Sequence, residues 1–264
     1  MTDRYAVLGN PISHSKSPLI HAMFAKQTGQ DISYEAIAAP LDGFQTTIER
    51  LRSEGYKGCN VTVPFKFEAF SCATELTGRA NAAQAVNTLS FDEKQITGDN
   101  TDGAGLVSDI EINLGVTLQS KRVLLMGAGG AAYGVVLPLL TAGAALTIAN
   151  RTAEKASELA AQFSDVTGGS YQDLAGQQFD VVINATSAGL SDSEVPLSQD
   201  IFAPGALAYD MMYGRETPFM AFARKQGATV ADGLGMLVEQ AAEAFTIWRG
   251  VRPDTKPVIA ALRK

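Results

Sequence analysis

Lys66 is the residue of this 264-residue chain whose position most needs a reason. It closes the run Asn60-Val61-Thr62-Val63-Pro64-Phe65-Lys66, in which a strand stops at a proline and a helix opens. An ammonium group at a helix start opposes the helix dipole, so its presence there implies a compensating gain. Gly98-Asp99-Asn100-Thr101-Asp102-Gly103 supplies two carboxylates in a loop ahead of another helix. Asp102 or Thr101 could serve as that helix's N-cap, or Asp102 could pair with Lys66 and orient its ammonium. Strand alternation places Asn60 and Thr62 on one face and Val61 and Val63 on the other. Asn87 is a further polar residue in an otherwise apolar run. Such a set can pass a proton to or from an oxygen atom. Ser13, Ser15 and Ser17 alternate through a turn that enters a helix, where hydroxyl donors near a positive helix end can hold a carboxylate. Ordinary loop and cap serines would read the same way.

A second chemistry lies at Val123-Leu124-Leu125-Met126-Gly127-Ala128-Gly129-Gly130-Ala131-Ala132, an apolar strand joined to a helix by a glycine turn. Gly127 permits the tight turn, Gly129 removes a Cβ where a pyrophosphate must approach, and Ala132 is small enough for helix and strand to pack closely. The free N–H groups at the helix start would carry the pyrophosphate. A ligand-free turn can have the same letters, but the flanking strand and helix supply the context a dinucleotide site requires. The next strand ends in Asn150-Arg151-Thr152, with Lys155 shortly after. An NAD site normally has a carboxylate there for the ribose 2′-hydroxyl. An amide, a guanidinium and a hydroxyl suit a 2′-phosphate instead, so NADP is the expected cofactor. Thr152 as a helix N-cap is compatible with that reading.

The elements that must position these groups alternate between strand and helix, the pattern of an α/β fold. Tyr5 to Leu8, Ser33 to Ala38 and Gly58 to Val63 read as strands. Helices are expected from Ser17 as N-cap with Pro18 in first position, over Gly43 to Ser53, and from Pro64. Ala85 to Phe91 and Gln95 to Gly98 read as a hairpin. A helix near Thr101-Asp102 runs to about Asn113 and leads into strands at Val123 to Met126, Ala145 to Ala149, Phe179 to Ile183, Ala206 to Asp210 and Ala228 to Val230. Helices are expected over Ala153 to Phe163 and from about Met236 to Trp248. Two α/β domains with a cleft between them is the simplest account.

Bulk properties narrow the partners. A net charge of −7 argues against nucleic acid or an acidic membrane as the main partner. No apolar run approaches the roughly 18–20 residues that span a bilayer, and the acidic start MTDRYAVLGNP is unlike a signal peptide, so a cytoplasmic location is expected. Cys59 and Cys72 fit neither a redox pair nor a zinc knuckle. His14 and His21 have no acidic or cysteine partner to complete a metal set, so no metal is expected.

The motifs together, in this order, resemble the shikimate dehydrogenase family over nearly the whole chain. They are Gly9-Asn10-Pro11-Ile12 with His14-Ser15-Lys16-Ser17-Pro18, the 60–66 run, Ala85-Val86-Asn87-Thr88, the 98–103 loop, the glycine turn, Asn150-Arg151-Thr152, Asn184-Ala185-Thr186 and the 232–241 segment from Asp232 to Ala241. Ala132 in place of a third glycine is a departure the motif accommodates. The resemblance implies an oxidoreductase that reversibly reduces 3-dehydroshikimate to shikimate with NADPH, on the route to chorismate and the aromatic amino acids. It implies Lys66 and Asp102 as the catalytic pair. Ser13, Ser15 and Tyr213 would bind the substrate carboxylate, while Asn60, Thr62, Asn87, Asp102 and Gln240 would bind or surround its hydroxyls. Gly127, Ala128, Gly129, Gly130, Ala131, Asn150, Arg151, Thr152, Lys155, Thr186, Met211 and Gly233 would surround NADP. It further implies a discontinuous N-terminal substrate domain (1–101 plus 236–264) with a mainly parallel sheet, and a Rossmann-like NADP-binding domain (102–235), with the active site in the cleft. The alternatives are a quinate/shikimate dehydrogenase of broader specificity and a non-catalytic NADP-binding sensor. An acidic residue at 150 would favour NAD, and loss of the Lys66–Asp102 pair would favour the sensor; the sequence has neither. Monomer and homodimer both remain open.

Overall fold

Alternating side chains divide each strand between two apolar layers, and this organises the architecture. The computed structural model describes residues 2–186 and 195–263, so positions 1, 187–194 and 264 of the expected domain ranges lie outside the described residues. The chain forms two compact units, residues 1–105 with 238–264, and residues 106–237.

The first unit begins with β1 (Asp3–Gly9), α1 (Ser17–Thr28), β2 (Ile32–Ala38), α2 (Phe44–Ser53), β3 (Gly58–Val61) and α3 (Lys66–Cys72). It continues through β4 (Glu75–Leu76), α4 (Gly78–Ala83), β5 (Thr88–Phe91), β6 (Ile96–Asp99) and the start of α5 (Asp102–Ser108). Its sheet has the order β2-β1-β3-β5-β6-β4. β1 pairs in parallel with β2 and β3, β4 pairs in parallel with β6, and β5 runs antiparallel to β3 and β6. Ala6 and Leu8 of β1 join a core with Phe44, Ile48 and Leu51 of α2. Tyr5, pointing the other way, stacks on Trp248 at 4.6 Å between ring centroids.

In the second unit a π-helical turn (Asp109–Asn113) follows α5, then β7 (Arg122–Met126), α6 (Gly130–Thr141), β8 (Ala145–Ala149), α7 (Ala153–Ala160) and β9 (Thr167–Gly169). β10 (Phe179–Asn184), β11 (Phe202–Asp210), α8 (Pro218–Lys225) and β12 (Thr229–Asp232) follow. α9 (Leu234–Arg249) returns the chain to the first unit, where α10 (Lys256–Leu262) ends the described elements. The second sheet is wholly parallel, ordered β12-β11-β10-β7-β8-β9. That is the doubly wound dinucleotide-binding order, and its switch point lies between β7 and β10. Val123 and Leu125 of β7 pack into one apolar layer, and Leu124 and Met126 into the other. The fold is therefore two α/β domains, one mainly parallel and one Rossmann-like.

Several local expectations change. Ser17 is the first helical residue of α1, with Lys16 at the cap position, and Ser15 Oγ accepts the Ser17 N–H at 3.3 Å. β3 ends at Val61, two residues before the expected Val63, and α3 starts at Lys66 after the cap Phe65. β5 starts at Thr88 because the preceding backbone is engaged elsewhere: Val86 N–H donates to Lys66 O, and Ala85 O accepts from Asn100 Nδ2. α7 stops at Ala160 rather than Phe163, and the expected helix to Asn113 changes to π geometry at Asp109. The short strands β4 and β9 and the short helix α4 had no expectation attached. Among the described residues no helix is long and apolar enough to cross a membrane.

Candidate functional site

Two backbone groups fix the polar cluster of the first unit. Thr101 N–H donates to Asn87 Oδ1 at 2.9 Å, which forces the Asn87 amide to present its nitrogen on the other side. That nitrogen donates to Asp102 Oδ1 at 2.8 Å and lies 3.4 Å from Gln240 Oε1 of α9. The other carboxylate oxygen, Asp102 Oδ2, accepts from Lys66 Nζ in a short ion pair. In the same way Asn60 Nδ2 must face a backbone carbonyl, Asn87 O at 3.2 Å, and it also reaches Thr88 Oγ1 at 3.0 Å.

The loop geometry settles the capping question. The Asp102 carboxylate bonds to Lys66 and Asn87, and Thr101 Oγ1 to Asn87, Thr88 and Gln240, so neither side chain caps α5. The Asp102 N–H itself goes to Asn100 Oδ1 at 3.1 Å. The Asn100 N–H is held by Asp99 Oδ1 at 2.7 Å, and Arg79 grips Asp99 with two nitrogens, at 2.6 and 2.8 Å. Burial opposes the Arg79 charge, but Asp99 and Glu243 outweigh it and hold its pKa above the ordinary value. Asp102 thus stands on a turn anchored from below by a bidentate ion pair.

Sequence reasoning placed Lys66, Asp102, Asn60, Asn87 and Gln240, and the structure brings these five into one cluster. Ser15 is half-buried beside the start of α1, Ser13 is exposed, and Thr62 is half-buried just past β3. Asn10 N–H donates to Val63 O at 3.1 Å, which holds the serine loop against the end of that strand. Tyr213 lies in the second unit, where burial raises its phenol pKa. Thr88, Tyr34 and Arg79 were not singled out as site residues. Nothing in their local letters marks them, because their roles depend on contacts between distant segments.

The glycine turn in the second unit follows β7 directly. Gly127 has φ +109°, and a Cβ there would meet the Ala185 backbone at 3.3 Å. Gly129 is different: a Cβ would meet nothing within 4 Å, which leaves open space over the first turn of α6. Gly129 caps that helix without any side-chain acceptor, so the first N–H groups remain available for an anion. Thr186 is fixed on the far side of the switch point by donating its N–H and hydroxyl to Asn184 Oδ1, at 3.1 and 2.7 Å. Met211 N–H donates to Asn184 O at 3.0 Å, and a Cβ on Gly233 would stand 2.2 Å from Met211 O. Thr186, Met211 and Gly233 therefore gather at the carboxyl ends of β10, β11 and β12.

Arg151, Thr152 and Lys155 are exposed at the end of β8 and the start of α7. Thr152 occupies the α7 cap position without a side-chain cap bond, and Asn150 Nδ2 donates to Thr152 O at 2.9 Å. Burial pushes the nearby Tyr171 phenol up to about 12, with the Arg151 charge opposing. An open pyrophosphate cradle beside an exposed guanidinium and ammonium, with no carboxylate at the strand end, fits a dinucleotide carrying a 2′-phosphate.

Three family models match the chain. Residues 7–89 match a model described as the shikimate dehydrogenase substrate binding domain, 110–191 one for shikimate / quinate 5-dehydrogenase, and 233–263 one for the shikimate 5'-dehydrogenase C-terminal domain. A shikimate dehydrogenase (NADP(+)) of Methylobacillus flagellatus is 62% identical, over 99% of this chain and 99% of the relative. The chain belongs to the shikimate dehydrogenase family. Among solved structures, the shikimate 5-dehydrogenase of Thermus thermophilus in complex with NADP(H) and shikimate is similar with a TM-score of 0.90 and 33% identity, covering 99% of both chains. An Ael1 enzyme from Pseudomonas putida is similar with a TM-score of 0.94 and 50% identity, covering 99% of this chain and 98% of the other.

Proposed function

We propose that this member of the shikimate dehydrogenase family interconverts 3-dehydroshikimate and shikimate with NADP, using Lys66 and Asp102 as its catalytic pair. The reaction is a step of chorismate and aromatic amino acid biosynthesis. The observation that carries the assignment of roles is the ion pair itself: one Asp102 oxygen holds Lys66 and the other is held by Asn87. When bound, the nicotinamide supplies a hydride in reduction and accepts one in oxidation. Charge then develops on the substrate oxygen, and the Lys66 ammonium gives it a proton; in the reverse direction the Lys66 amine takes that proton. Asp102 orients Lys66 so that its N–H points to one place throughout.

Ser13, Ser15 and Tyr213 take the substrate carboxylate, Thr62, Asn87, Asp102 and Gln240 bind or surround its hydroxyls, and Asn60 surrounds them from behind Asn87 without touching them. Gly127 to Ala131 hold the cofactor pyrophosphate on backbone N–H groups. Asn150, Arg151, Thr152 and Lys155 read the 2′-phosphate, and Thr186, Met211 and Gly233 complete the surround of NADP. In domain terms, residues 1–101 with 236–264 make the substrate domain and residues 102–235 the cofactor domain. The enzyme works in the cytoplasm as a monomer or homodimer.

The test is absorbance at 340 nm with purified protein and shikimate, with NADP and NAD in parallel and quinate as control substrate. Reduction that prefers NADP with shikimate is the expected result. Equal use of quinate or NAD would replace this reading by a broader quinate/shikimate dehydrogenase, and no reduction by folded protein would replace it by a binding-only role.

A further inference from the structure

Behind the Lys66–Asp102 pair runs a chain of hydrogen bonds that begins far from it in sequence. Tyr34 of β2 donates its phenol hydrogen to Asn60 Oδ1 at 2.7 Å. Asn60 Nδ2 donates to Thr88 Oγ1 at 3.0 Å, and Thr88 Oγ1 donates to Asn87 Oδ1 at 2.8 Å. Asn87 Nδ2 donates to Asp102 Oδ1, and Asp102 Oδ2 accepts from Lys66.

The two amides give this chain its direction. Asn60 cannot flip, because its nitrogen also faces the Asn87 carbonyl, which only accepts. Asn87 cannot flip, because its oxygen faces the Thr101 N–H, which only donates. The Thr88 hydroxyl accepts from the Asn60 amide, and its single hydrogen goes to Asn87 Oδ1 at 2.8 Å in preference to Thr101 Oγ1, which lies 3.4 Å away. Both Asn60 amide hydrogens are thereby used inside the protein, and the residue is buried. It has no hydrogen left to offer a substrate. Tyr34 at the far end is itself held, stacked on His21 with centroids 4.0 Å apart and planes 5° from parallel.

We propose that Tyr34, Asn60 and Thr88 form a positioning relay, which fixes the Asn87 amide so that it holds the Asp102 carboxylate against Lys66. None of the three touches substrate; each acts through Asn87. This rests on the reading of Lys66 and Asp102 as the catalytic pair.

Steady-state shikimate oxidation by the full chain tests it, with Thr88→Val, Thr88→Ser, Tyr34→Phe, Asn87→Ala and Lys66→Ala, and with thermal unfolding of each. Loss of one hydroxyl donor to a buried amide should lower kcat about tenfold in Thr88→Val and roughly threefold in Tyr34→Phe, with the KM for NADP unchanged. Thr88→Ser, which keeps the hydroxyl, should recover kcat to within about twofold of wild type. In an Asn87→Ala background Thr88→Val should cost nothing more. If the full Thr88→Val loss persists in that background, or Thr88→Ser is as slow as Thr88→Val, the relay is overturned while the catalytic pair stands. If Lys66→Ala turns over within about tenfold of wild type, the catalytic reading itself falls, and the relay with it.

Discussion

The two polar regions of this molecule are built on opposite plans. Around Asp102 the polar side chains are buried and tied to one another: Asn87 is 2% exposed, Thr88 1% and Thr101 0%. Around the glycine turn the backbone is fixed, but Arg151, Thr152 and Lys155 stand in solvent. A small polar substrate offers few atoms, so the groups that meet it must be oriented before it arrives. A dinucleotide offers a long surface, and its pyrophosphate can be met by backbone N–H groups that need no side-chain orientation.

The severest way to break this comparison is to remove the ammonium from the buried side. Lys66→Ala should cut turnover by roughly 10²–10⁴-fold, the usual worth of a general acid–base group, while NADP binding stays nearly intact. Stopped assays at 340 nm and a fluorescence titration with NADPH would measure the two effects separately. A parallel loss of cofactor affinity would mean that the two regions are not independent.

Two glycines then sharpen the claim that the cofactor side is set by backbone. A Cβ on Gly233 would press on the Met211 carbonyl, so Gly233→Ala should cost about 3 kcal/mol of stability in urea denaturation. Gly129→Ala meets no neighbour and should unfold within about 0.5 kcal/mol of wild type. Its methyl group would nevertheless fill the pyrophosphate space and raise the KM for NADP roughly tenfold. Equal stability losses in the two variants would show that Gly129 is structural rather than reserved for ligand.

Exposure makes the next effect selective. Arg151→Ala should raise the KM for NADP about 30-fold, as expected for a charge-assisted contact to phosphate, and leave the use of NAD almost unchanged. Loss of both cofactors in equal measure would move Arg151 from reading the phosphate to shaping the loop.

What was legible in the sequence follows the same division. The strand-turn-helix at 123–132 is local, so its letters specify its geometry, and β8 spans the expected Ala145–Ala149. Lys66 was legible as a candidate because an ammonium at a helix start is unusual, and Asp102 because it offered that ammonium a partner. The choice between capping and pairing was not, since it turns on Lys66 and Asn87 being brought to the Asp102 carboxylate from other segments. Thr88 reads as an ordinary strand residue until Asn60 is brought beside it from another strand. Short pieces such as β4, with two residues, carry too little periodicity to announce themselves and exist because β6 offers them an edge.

The smallest effect concerns what burial costs the first region. His21 is fully buried under Tyr34, and among the described residues neither ring nitrogen has a hydrogen-bond partner of ordinary geometry. Burial pushes its pKa down to about 3, against a weaker opposing pull from Asn60. In the unfolded chain the imidazole titrates near 6.5, so between those two values the unfolded state binds the extra proton and the folded state does not. Stability from this source is complete above the unfolded value and declines as the pH falls through the window. Between pH 7 and pH 5.5 the loss should be about 1 kcal/mol. His21→Phe keeps an aromatic ring against Tyr34 and has nothing to protonate, so its stability should fall by that much less over the same interval. Urea denaturation of both proteins at the two pH values measures the difference. Parallel losses would mean that the acid sensitivity of the first region lies in its carboxylates rather than in the histidine beneath them, and the polar cluster would then be rigid without being costly to bury.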